Sequence, residues 1–182
     1  MSCCPVTAEP ARNPSDHTGV MKKAGNTNIY VTGPASAKAG VIAYPDIYGL
    51  DTMACAGAHG WVPRRLHRTD PVVMGHVSFH PAWIVENVLN GDGAVDKLAE
   101  RVKVPQLLIA AGDDPDFIKP DGSLFKILKS RVDIGSKSDV LLFADEKHGW
   151  VHRGDLDNAA TKTAVMKAWH TAVKFIQTNC PV

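Results

Sequence analysis

Residues 104–116 read Val-Pro-Gln-Leu-Leu-Ile-Ala-Ala-Gly-Asp-Asp-Pro-Asp. Positions 107–111 are apolar without alternation, the pattern of a strand covered on both faces; a strand with one wet face would alternate apolar and polar residues. The run stops abruptly at Gly112-Asp113-Asp114-Pro115, which is turn chemistry. A strand over 105–111 is therefore expected, buried between two helical layers and ending in aspartates. Three other stretches have the same form. Gly40-Val41-Ile42-Ala43-Tyr44-Pro45 stops at Asp46, a run over 72–79 stops at His80-Pro81, and 139–143 leads into Lys147-His148-Gly149-Trp150.

Helical patterns lie between and after these strands, over 94–101, 124–129 and 157–177. In the last, Ala160, Ala164, Ala168, Ala172 and Ile176 form one stripe with Val165, Trp169 and Val173 beside it, while Lys162, Lys167 and Lys174 can face water. Strands alternating with helices give an α/β fold, a mostly parallel sheet with helices on both faces, whose polar chemistry gathers where the strands end. Asp46, Asp114 and His148 fall at such ends. A hairpin is expected ahead of the sheet, with strands over 20–23 and 28–32 around the Gly25-Asn26 turn. Residues 1–18, rich in proline and without apolar periodicity, are expected to form an irregular arm, and 19–182 one domain.

Composition narrows the partners. The 182 residues are 45% apolar and 21% charged, which suits one globular domain and excludes fibrous or wholly disordered chains. Twenty basic against nineteen acidic side chains leave no basic stripe for a phosphate backbone, so nucleic acid is not expected as a partner. The apolar runs are shorter than the roughly 20 residues that cross a bilayer, and the first residues carry no apolar signal core. A cytoplasmic protein without membrane contact is expected. Cys3 and Cys4 are adjacent, whereas Cys55 and Cys180 stand alone, a spacing that suggests neither a disulfide framework nor a metal site.

An aspartate past one strand and a histidine past the next is the acid-then-base order of α/β-hydrolases, in which the nucleophile comes earlier in the chain. The carboxylate holds the imidazole in one tautomer and stabilises the imidazolium formed when it takes a proton. Asp113, Asp114 and Asp116 all satisfy the order.

Five segments together resemble the eukaryotic branch of the dienelactone hydrolase family. They are Tyr30-Val31-Thr32-Gly33-Pro34, Ala43-Tyr44-Pro45-Asp46-Ile47-Tyr48-Gly49-Leu50-Asp51, Gly75-His76-Val77-Ser78-Phe79-His80-Pro81, Val104-Pro105-Gln106-Leu107-Leu108 and His148-Gly149-Trp150-Val151-His152-Arg153. The likeness covers about 19–50 and about 71–178. It implies an α/β-hydrolase fold, a cysteine nucleophile served by a histidine and an aspartate, no metal or organic cofactor, and hydrolysis of lactones or carboxylic esters. His148 matches the family base, and Asp114, before Pro115, matches the acid, with Asp113 and Asp116 close by. Asp46 stands where the family places an acid that interacts with the nucleophile, and the Ile47 backbone N–H matches an oxyanion donor. Arg153 resembles the arginine that pairs with a substrate carboxylate.

The nucleophile segment departs from this pattern. The family cysteine sits between small residues on a tight turn from a strand into a helix, and that segment belongs between the strands ending at Asp46 and His80. The interval 47–71 has only 25 residues and one cysteine, Cys55. Gly57 follows Cys55, but Met53 is not small and no apolar run leads into the position. Cys55 is thus the sole nucleophile candidate in a chain that resembles an internally shortened hydrolase. Low esterase activity is expected, and a non-catalytic protein that holds a small anion near Asp46, Asp114, His148 and Arg153 is the rival reading.

Overall fold

Leu107, Ile109 and Ala111 are buried on one side of a central strand, and Leu108 and Ala110 on the other. That strand, β4 (Gln106–Ala111), decides the architecture because both of its faces need cover. The computed structural model describes residues 19–31, 33–37 and 74–179. Within them, β1 (Val20–Ala24) and β2 (Thr27–Val31) form an antiparallel hairpin. A second sheet has β4 between β3 (His76–Phe79) and β5 (Asp139–Phe143), parallel to both. The arm expected over 1–18, the strand expected over 40–45, and Asp46, Ile47 and Cys55 lie outside the described residues.

The helices cover the two faces in turn. Leu108 and Ala110 pack with Val95 and Ala99 of α2 (Ala94–Ala99) and with Leu124 and Leu128 of α3 (Ser123–Ser130). Leu107, Ile109 and Ala111 pack with Trp150 of α4 (Trp150–Arg153) and with Val165, Ala168 and Ala172 of α5 (Ala159–Asn179). The expected mostly parallel sheet with helices on both faces is thus present as three parallel strands flanked by helices. No helix among the described residues is long and apolar enough to cross a membrane.

Local chemistry sets the element ends. Helix α5 starts where the Asn158 side-chain oxygen accepts the N–H groups of Ala160 and Thr161, at 2.9 and 3.3 Å, satisfying donors that the helix itself cannot. Its buried side is narrower than the sequence pattern suggested, since Ala160 and Val173 are exposed. Past α3, the Arg131 guanidinium donates to the carbonyls of Ala99 and Glu100, at 3.3 and 2.6 Å, tying the end of α2 to the end of α3. It also binds both Asp133 oxygens, and this hydrogen bond holds the Asp133 carboxyl below its ordinary range. Two helices lacked a clear sequence signal. Helix α1 (Ile84–Asn90) buries none of its residues, and α4 is a single turn.

Leu108, with 0% of its surface exposed, sits where β4 meets the α2–α3 layer. Leu108→Ala is expected to lower the free energy of unfolding by about 2–5 kcal/mol, as buried leucine truncations do. Urea denaturation followed by circular dichroism measures this, and a loss much smaller than that range would show that β4 is not the core of the fold.

Candidate functional site

Because β4 and β5 are parallel neighbours, the loops that leave them emerge side by side. Gly112 brings them into contact: its N–H donates to the Glu146 carbonyl at 2.9 Å, and a Cβ at this position would run into the Ala144 carbonyl oxygen. Only glycine leaves room for the two backbones to approach this closely.

Asp114 turns back on the strand it follows. Its Oδ2 accepts the Ala111 N–H at 2.7 Å, and its Oδ1 lies 2.5 Å from Nδ1 of His148, which follows β5. The Asp114 side chain is wholly buried and the His148 side chain is 17% exposed. An ionised carboxylate only accepts hydrogen bonds, so this contact requires Nδ1 of His148 to carry a proton. The neutral ring then keeps its lone pair on Nε2. Asp113, one residue earlier, accepts the His148 backbone N–H at 2.6 Å. The adjacent aspartates thus hold the backbone and the ring of the same histidine. Asp116 instead points into solvent and pairs with Lys119 at 3.0 Å, an exposed contact that contributes little. Of the three aspartates that the sequence order allowed, the structure sets Asp114 against the imidazole.

The turn after His148 has its own requirement. Gly149 has φ +90°, and a Cβ there would collide with the Arg153 guanidinium. Buried Trp150 and Val151 anchor α4, which carries Arg153 back over Gly149 and so to within one residue of the candidate base. Asp114, His148 and Arg153 are therefore gathered at the carboxyl edge of the sheet. Asp46, Ile47 and Cys55 lie outside the described residues.

Two residues to which the sequence reading gave no role complete the cluster. His80 immediately follows β3 and is completely buried, and its ring lies edge-on to His148 with centroids 4.9 Å apart. The ring of His152 of α4 also lies 4.9 Å from it and edge-on. His80 could have been found by noting that all three parallel strands end within a few residues of an ionisable side chain. Among the described residues no group of three histidine, cysteine or acidic side chains is arranged to hold a metal ion.

Comparison with family models, curated proteins and solved structures finds no match to this chain.

Asn at position 114 could still accept the Ala111 N–H through its oxygen, but it would then turn its amide N–H toward His148. Asp114→Asn is therefore expected to move the ring proton of neutral His148 from Nδ1 to Nε2, the tautomer with the wrong nitrogen for a base. Imidazole nitrogen NMR of histidine-labelled protein reads the tautomer directly. An Nδ1–H form that persists in the variant would show that Asp114 does not set it.

Proposed function

We propose that this chain is a dienelactone hydrolase-like protein of the α/β-hydrolase type that keeps the acid–base half of an ester- or lactone-cleaving site and lacks the segment that presents the nucleophile. The observation that carries this reading is the 2.5 Å contact between the buried Asp114 carboxylate and Nδ1 of His148, at the ends of adjacent parallel strands. A histidine oriented in this way takes a proton at Nε2, while the carboxylate stabilises the imidazolium that results. The five family-like segments supply the substrate class, lactones or carboxylic esters. Arg153 supplies a cation for a carboxylate on the same substrate.

The missing part follows from sequence. Between Asp46 and the strand that ends at His80, the chain has no apolar run leading into a small-x-Cys-x-small turn. Without that turn a thiolate is not held above the sheet, and covalent catalysis loses the group that must attack the carbonyl carbon. His148 is left with water as the proton donor it can activate, a far slower route.

Hydrolysis of an aryl acetate by purified protein is accordingly expected to be weak, with wild type and His148→Ala within about tenfold of each other, since oriented binding alone gives some residual acceleration. Rapid turnover abolished by His148→Ala would overturn the proposed loss of function and reveal a working nucleophile. Cys55→Ser would then tell a relocated thiol from histidine-activated water.

The guanidinium of Arg153, held over Gly149 beside the acid–base pair, favours a second reading in which the edge binds a small anion without turning it over. Calorimetry with small carboxylates, using Arg153→Ala as control, separates the two. Heat that vanishes in the variant while ester hydrolysis stays at background supports binding alone.

A further inference from the structure

His80 occupies an unusual place for a residue with no assigned part in the chemistry. Its backbone φ is +37°, uncommon for any residue other than glycine, and the following Pro81 further restricts the backbone before it. The conformation is held on several sides. The His80 N–H donates to the Ile109 carbonyl at 2.6 Å, continuing the β3–β4 ladder past the end of β3. Pro81 and the His80 side chain are both fully buried. Backbone strain kept in place by such surroundings is a recurrent mark of functional sites.

The strained turn sets the imidazole against the rings of His148 and His152. Both neighbours meet it edge-on, with interplanar angles of 64° and 79° at 4.9 Å, within the favoured range for paired rings. Phe79 also touches His152 edge-on, with centroids 6.3 Å apart, so the far side of the row is braced by the core. From the β4 exit, Asp114 holds Nδ1 of the same His148 ring. His148 is therefore contacted by a carboxylate at one nitrogen and by the His80 ring.

We propose that His80 is a positioning residue for His148, whose ring, packed at a steep angle against the His148 imidazole, blocks its rotation and so keeps Nδ1 on Asp114 and the lone pair on Nε2. The role deepens the acid–base reading of the site and rests on it. An imidazole suits the task because it is flat and compact. A permanently charged side chain would oppose the positive charge that His148 acquires when it accepts a proton. Asp114 faces His148 from β4, and α4 carries both His152 and Arg153. His80 itself neither meets substrate nor exchanges protons with it.

The test reads the His148 ring and needs no turnover, so it stands apart from the fate of the ester-cleavage reading. Imidazole nitrogen–proton correlation spectra of full-length wild-type protein are expected to show His148 as a single Nδ1–H tautomer with a slowly exchanging proton. In His80→Ala the ring regains rotation, and the expected result is a mixture of tautomers with at least about a tenfold faster exchange of that proton, the size of a 1.4 kcal/mol loss. His80→Phe restores a ring edge and should return the single tautomer. His80→Asn, whose side chain tolerates positive φ, guards against a variant that fails only for backbone reasons; it should behave like alanine. If folded His80→Ala or His80→Asn keeps the wild-type His148 signature, the proposal is overturned, because a purely structural role would lower the melting temperature and leave the tautomer alone. Tautomer mixing in wild type would overturn it as well.

Discussion

One carboxylate joins the chemistry of this protein to its fold. Asp114 accepts the last N–H of β4 through one oxygen and the ring of His148 through the other, from a position without solvent exposure. Such a group is expensive to bury unless both oxygens are satisfied, so the strand end and the histidine must both be in place for the carboxylate to be tolerated. Everything that aligns β4 with β5 therefore also aligns the acid with the base. The two-sided apolar core around Leu107, Leu108, Ile109 and Ala110 fixes the strands, and Gly112 lets their exits touch. The site is the polar end of the core.

An acid–base pair needs two adjacent strand ends, and β4 and β5 provide them. A nucleophile in this architecture needs a third device, a strand leading into a strained turn with small neighbours, and the interval 47–71 offers one cysteine without that context. The backbone bond from His148 to Asp113, the ring contact with His80 and the return of Arg153 over Gly149 hold this edge together.

Much of the fold was legible because burial on two faces leaves a plain mark. The unbroken apolar run placed β4 at 105–111, where it forms Gln106–Ala111, and the alanine stripe located α5. Helix α1 left no such mark, since Val88 and Leu89 lie exposed and no residue of the helix is buried. Within the site, chain order left Asp113, Asp114 and Asp116 all open, and the family resemblance favoured Asp114. Only the touching loop exits show that Asp114 meets the His148 ring, Asp113 its backbone and Asp116 a lysine. His80 escaped for a related reason. A histidine before a proline at a strand end reads as a turn until the pairing of β3 with β4 and a positive φ bring it beside His148.

The central claim, an acid–base pair without its nucleophile, is tested most directly by the intact mass of the protein after brief exposure to an activated aryl ester. The expected result is no acylation that depends on His148, with any slow modification of cysteines equal in wild type and His148→Ala. A stoichiometric acyl adduct on Cys55 that forms rapidly in wild type and disappears in His148→Ala would contradict the account.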